Sequence, residues 1–120
     1  MKVLNLTQHA ATPDQVVAGV VDIDADLKSA LVSAITFPVL YTAETLTARA
    51  RWVAGLVSAY NDKVSDADKV AHVMIGGMPS FMPPLQAELI AAGYTVGYAC
   101  SERVSVDGED VKHSGFYWAN

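Results

Sequence analysis

The run Val70-Ala71-His72-Val73-Met74-Ile75 is the strongest strand signal in the chain, and it passes directly into Gly76-Gly77-Met78-Pro79-Ser80. A helix is expected from about Phe81 to Ala92, because Pro83 and Pro84 are tolerable only in a first turn and Gly93 suits a left-handed cap. A strand, a tight glycine turn and a helix in this order form a strand–helix unit, and other parts of the chain repeat the pattern. Lys2–Leu6 reads as a short strand buried on both faces. Thr12-Pro13-Asp14-Gln15 then carries a helix start, with Thr12 as cap, Pro13 in the first position and Gln15 completing a capping box. That helix is expected to stop near Gly19.

Val20–Ile23 reads equally as a strand or a linker. Asp24 or Asp26 opens a second helix, in which Leu27, Ala30, Leu31 and Ala34 share one face. A short strand around Ile35–Phe37 is expected, kept to an edge or terminus by Pro38. Thr42 starts the longest helix, with Leu46, Ala50, Val53, Val57 and Tyr60 as its apolar stripe. The segment from Asn61 to Asp68 reads as a solvated loop. Tyr94–Cys100 is a further strand, and two β-prone runs (Val104–Val106 and Val111–His113) flank Asp107-Gly108, a hairpin signal. Ser114-Gly115 is expected to break the chain before Phe116-Tyr117-Trp118.

This order predicts an α/β fold: a single three-layer Rossmann-like domain over residues 1–120, with a mostly parallel sheet and a C-terminal β-hairpin. No repeat or linker divides the 120 residues. The 52% hydrophobic content excludes a disordered chain and leaves area for a self-association face, so a homodimer is expected. The net charge is −5, with 13 acidic and 8 basic residues, which argues against polymeric nucleic acid and anionic membranes as partners. The N-terminus shows no secretory leader and no run is long enough to span a bilayer, so a soluble, cytoplasmic protein is expected. Cys100 is the single cysteine, which precludes an internal disulfide or a cysteine-rich zinc site. His9, His72 and His113 lack metal-ligand spacing, so neither a metal nor any other cofactor is expected.

In a parallel sheet the ligand crevice lies outside the carboxyl ends of the strands. Three segments leave strands at that edge: Thr7-Gln8-His9, Gly76-Gly77-Met78-Pro79-Ser80 and Ser101-Glu102-Arg103. Gly76-Gly77 permits close backbone approach. Ser80 is expected near the cap of the next helix, with free N–H groups facing the crevice. An ordinary strand–helix turn accounts for the same residues, and no dinucleotide or Walker fingerprint is present. His9 suits general acid or base chemistry near neutrality, or serves as a loop histidine bonded to backbone. Arg103, one of three arginines, is placed either to clamp a phosphate or to pair with Glu102 or Asp107. His72 reads as a core or interface residue and His113 as an exposed one. Cys100 reads as buried and inert. Met74, Met78 and Met82 read as core or dimer packing. Trp118 is able to stack on a base, and Trp52 reads as interface or core.

The segment Leu4-Asn5-Leu6-Thr7-Gln8-His9-Ala10-Ala11-Thr12-Pro13-Asp14-Gln15 resembles the opening of small single-domain CRISPR-associated Rossmann-fold (CARF-like) proteins. The Gly76-Gly77-Met78-Pro79-Ser80 turn is similar to their second ligand loop. The likeness covers the first 15 or so residues and the region from about Val70 to Arg103, and leaves the middle helices unmatched. It implies a homodimer whose paired crevices bind a cyclic oligoadenylate, a ring second messenger of antiviral signalling in bacteria and in phages that damp it. It also implies ligand contacts from Thr7, Gln8 and His9 and from Gly76, Gly77 and Ser80. Some such proteins only bind the ring. Others are metal-independent ring nucleases that use the 2′-hydroxyl to attack the neighbouring phosphate, which here would need His9 as base and Arg103 as donor. Neither loop carries the lysine of the stronger ring nucleases. Together with Ser101, these residues make up the expected site. Two other functions fit the residues: a protein-interaction module such as a phage inhibitor of a host complex, and a nucleoside-processing enzyme with Glu102 as nucleophile.

Overall fold

The computed structural model describes the backbone of residues 1–120 and all side chains except those of 102–104, 106 and 111–113. The chain is α/β. Strands β1 (Val3–Asn5), β2 (Val20–Asp22), β3 (His72–Ile75), β4 (Thr95–Val106) and β5 (Glu109–Trp118) form one sheet in the order β2-β1-β3-β4-β5. The first four neighbours run parallel and β5 is antiparallel to β4. Helices α1 (Pro13–Val17), α2 (Ala25–Ile35), α3 (Ala43–Lys63) and α4 (Met82–Ala91) fill the connections. The architecture is compatible with a Rossmann-like fold.

Local chemistry sets the element ends. Thr12 accepts from the Gln15 amide while the Gln15 side chain accepts from the Thr12 amide, a complete capping box with Pro13 behind it. Thr42 caps α3 in the same sense, through the Thr45 amide. At the far end of α2, Arg49 Nη1 donates to the carbonyls of Ser33 (2.6 Å) and Thr36 (2.8 Å), which the helix leaves without internal partners. Gly93, at φ 96°, ends α4 as the left-handed cap. Asn61 at the end of α3 brackets Val70, accepting from its amide and donating to its carbonyl, and so anchors the entry to β3.

Several segments differ from expectation. Val20–Asp22 is a strand, because its backbone pairs with all three residues of β1. Residues 35–37 form no strand: Ile35 ends α2, and Phe37 instead packs edge-on against Phe81, with ring centroids 4.8 Å apart. The loop expected from Asn61 is helical to Lys63. The strand expected to end at Cys100 continues to Val106, since β5 supplies it with a pairing partner over its whole length, from Gly97↔Trp118 to Val106↔Glu109. Ser114-Gly115 therefore lies inside β5 and breaks nothing.

The two faces of the sheet are covered unequally. Leu4, Val73, Ile75 and Val96 share a core with Leu31 and Ala34 of α2, Val53 and Val57 of α3, and Leu85 and Leu89 of α4. The opposite face holds a smaller cluster, Val3, Val20 and Met74, packed by Ala11, Ala99 and Phe116. There the five-residue α1 is braced on β5 through a 2.6 Å contact between Thr12 Oγ1 and Ser114 Oγ, and through Asp14 Oδ2, which accepts from the Ser114 amide. No helix among the described residues is long and apolar enough to cross a membrane.

Candidate functional site

The chain leaves β1 toward β2 on one side and returns to β3 on the other, so the sheet reverses its winding between β1 and β3. Open α/β sheets leave a crevice at the carboxyl ends of strands at such a point. A cavity of about 590 Å³ opens there, and the segments that follow β1 and β3 line it together with residues 99–101 of β4.

The first loop is held by Asn5, which is 1% exposed. Its Oδ1 accepts from the amide (2.9 Å) and hydroxyl (2.7 Å) of Thr7, and its Nδ2 donates to the His9 carbonyl (2.7 Å) and Asp22 Oδ1 (2.8 Å). Asp22 Oδ1 also accepts from the Ala11 amide at 2.9 Å. One asparagine and one aspartate thus fix the backbone of residues 7–11. Lys28 of α2 adds a cation on the Thr7 carbonyl at 3.0 Å.

The second loop starts at Gly76. A Cβ here would lie 3.4 Å from the Ala99 Cβ and 3.5 Å from the Thr7 Cγ2, so the three segments meet closely at this point. Gly77 follows at φ 136°, a backbone state open only to glycine at low cost. The start of α4 then departs from expectation. The Phe81 amide bonds the Met78 carbonyl and the Met82 amide bonds the Pro79 carbonyl. Pro83 and Pro84 carry no N–H, and the Leu85 amide is already taken by the Phe81 carbonyl. The expected row of free helix N–H groups is therefore absent, because two prolines occupy the positions that would supply it. Ser80 caps nothing; it lies outside the cavity lining, and its Oγ hydrogen-bonds the Tyr41 hydroxyl at 2.9 Å.

Of the residues singled out in the sequence, Thr7, Gln8, His9, Gly76, Gly77 and Ser101 line the cavity. Thr7 is mostly buried, and its hydroxyl is engaged by Asn5. His9 is exposed at the rim. The side chains of Glu102, Arg103 and His113 lie outside the described residues. Cys100 is exposed and faces the cavity, contrary to the buried position expected of it, because β4 runs past the end of β3 at this point. His72 is half-buried, edge-on to Trp118 at 5.1 Å. Trp52 is 41% exposed, with Arg49 over its ring at 5.8 Å.

The lining also includes residues that sequence reasoning missed. Thr12 and Gln15 were legible only as a helix start, yet both face the cavity, as does Ser114, brought in from the tail by the β4–β5 register. Met74, Met78, Phe81, Met82 and Leu85 form its apolar floor. Among the described residues the lining holds no Lys, Arg, Asp or Glu, and no cluster of His, Cys, Asp and Glu suited to a metal ion occurs. The arrangement is an apolar pocket with a rim of hydroxyls, amides and one imidazole. Comparison of the chain with family models, with curated proteins and with solved structures finds no match in any of the three.

Proposed function

We propose that the protein binds a nucleotide-like small molecule in this cavity, and that the ligand is a cyclic oligoadenylate held between two copies of a three-layer, Rossmann-like domain with a C-terminal β-hairpin. The observation that carries the reading is the convergence of the loops after β1 and β3 with residues 99–101 on one cavity of about 590 Å³, within the size range of small-molecule sites. The polar rim supplies neutral donors and acceptors for ribose and base, and the resemblance of the two loops to CARF-like proteins supplies the ring ligand and its two-fold symmetry. In the cleaving version of this function, His9 at the rim removes the 2′-hydroxyl proton, the 2′-oxygen attacks the adjacent phosphorus, and the bond from phosphorus to the 5′-oxygen breaks. That oxygen takes up a proton from water to leave as a hydroxyl, giving a 2′,3′-cyclic phosphate while Arg103 stabilises the charged phosphate oxygens.

Calorimetric titration with cyclic tetra-adenylate and cyclic hexa-adenylate tests the proposal. The expected result is heat with one ring at a stoichiometry of one ring per two chains. No heat with either ring overturns it. Incubation of the bound ring with chelator present then separates binding from cleavage, and His9→Ala abolishes any cleavage.

A second reading rests on a separate observation. Val39 is 96% and Leu40 87% exposed in the loop between α2 and α3. Adjacent apolar side chains left in water suit a protein-interaction module. This reading predicts a stable complex with another protein that Leu40→Asp disrupts, and a cavity silent to both rings.

A further inference from the structure

We infer that the cavity selects its ligand by a planar heteroaromatic ring of purine size, and gives little binding to the phosphate. The inference rests on the proposed ligand-binding role of this cavity and specifies its chemistry. Met78 and Met82 line the cavity on the side of Phe81, and Met74 lines it from the opposite face of the sheet. Thioethers are polarizable and make favourable contacts with aromatic rings, and an apolar floor without a charged group rewards burial of a flat neutral ring. At one side the paired hydroxyls of Thr12 and Ser114, 2.6 Å apart, offer hydrogen bonds to the polar edge of such a ring.

Among the described residues no cation lines the cavity to hold the phosphate in a comparable way. Helix N-termini bind phosphate through unpaired N–H groups, and α4 has lost its own to Pro83, Pro84 and two turn hydrogen bonds. Lys28, the nearest described cation to the first loop, is spent on the Thr7 carbonyl and is not part of the lining. Anionic groups of the ligand therefore lie at the solvent-facing mouth, where charge interactions are screened.

The chain contains four methionines, which makes a direct test available. With the methionine methyls labelled with carbon-13, adenosine, adenosine 5′-monophosphate and ribose 5-phosphate are titrated separately to millimolar concentration. Met1 is 70% exposed and outside the cavity lining, so it serves as internal control. The expected result is that adenosine and its monophosphate move the methyl signals of Met78 and at least one of Met74 and Met82 by ring-current shifts. Their affinities should agree within about threefold, whereas loss of a charge-assisted phosphate contact would cost about tenfold or more. Ribose 5-phosphate should move no methionine signal. Met78→Ala should weaken both ring-bearing ligands about two- to tenfold, the range of a lost sulfur–aromatic contact. A response to ribose 5-phosphate alone, or a tenfold loss on removing the phosphate, overturns the inference and leaves the cavity as an anion-binding nucleotide site. Methionine signals unmoved by adenosine also overturn it. Only if both cyclic rings are silent as well does the proposed function fall with it.

Discussion

Gly97 of β4 lies under the indole of its antiparallel partner Trp118, so that a Cβ at position 97 would come within 3.0 Å of both Cε3 and Cζ3 of the ring. Glycine weakens a strand, and here the absence of a side chain is what admits the indole against the sheet. The same ring meets Phe116 at 4.8 Å and His72 at 5.1 Å, and with them covers the face that α2, α3 and α4 leave open. Gly97→Ala should therefore destabilise by about 1 kcal/mol, at the low end of overpacking costs because a 37% exposed indole is able to tilt outward. In a Trp118→Ala background the same change should stabilise by about 0.5 kcal/mol, the ordinary advantage of alanine over glycine in a strand. Urea unfolding of the four proteins measures both, and equal effects in the two backgrounds would refute the packing relationship.

Asn5 controls the first cavity loop. Removing its side chain leaves the buried Thr7 amide without its partner, while the Thr7 hydroxyl keeps the His9 carbonyl as acceptor at 3.1 Å. Asn5→Ala should cost about 2 kcal/mol, within the range expected for a buried polar group left unpaired. Amide hydrogen exchange should rise at Thr7 and Ala11 more than in α3. Exchange that rises uniformly across the protein would show global destabilisation and no specific clamp.

The order of elements was legible because each signal was local. The capping box at Thr12–Gln15, the cap at Thr42 and the glycine at 93 depend on residues within a few positions of one another, and all three occur in the fold. The length of β4 was not legible, since its second half is a strand only through pairing with β5. The site divides in the same way. The loops after β1 and β3 follow from the strand ends, whereas Ser114 reaches the cavity through a register fixed about 100 residues from Thr12, and Ser80 is diverted by Tyr41, a residue 39 positions away. The closure of the α4 N-terminus was visible in Pro83 and Pro84 themselves. Its chemical consequence needed the two turn hydrogen bonds that occupy the remaining amides.

Lys2 and Asp68 form an exposed ion pair that ties β1 to the turn before β3. The hydrogen bond from Lys2, aided by that from Ser65 and by the Lys2 charge, holds the Asp68 carboxyl below its ordinary value. The reciprocal bond and the Asp68 charge raise Lys2 above its own. A depressed carboxyl stabilises fully above its unfolded pKa of about 3.9 and loses this as pH falls through the lower folded value. A raised ammonium stabilises fully below about 10.4 and loses this as pH climbs through the higher folded value. The difference in urea midpoint between the protein and its Asp68→Asn variant should thus be constant from about pH 5 to 9, shrink below about pH 3 and shrink also in molar salt. A difference that persists at pH 2 would assign the effect to something other than this pair.

Pro83 and Pro84 make a prediction about what the site refuses. Each proline restricts the unfolded chain, so replacing both by alanine should lower stability by about 0.4–1 kcal/mol per residue, provided α4 keeps its start. The exchange also returns two N–H groups to the first turn of a helix whose opening residues, Phe81 and Met82, line the cavity. Unpaired first-turn amides attract anions. Phosphate at millimolar concentration should therefore raise the thermal midpoint of the Pro83→Ala/Pro84→Ala protein beyond the shift produced by chloride at equal ionic strength. The parent protein should respond to the two salts alike. A parent that already responds specifically to phosphate would refute the silencing of this helix end by the two prolines.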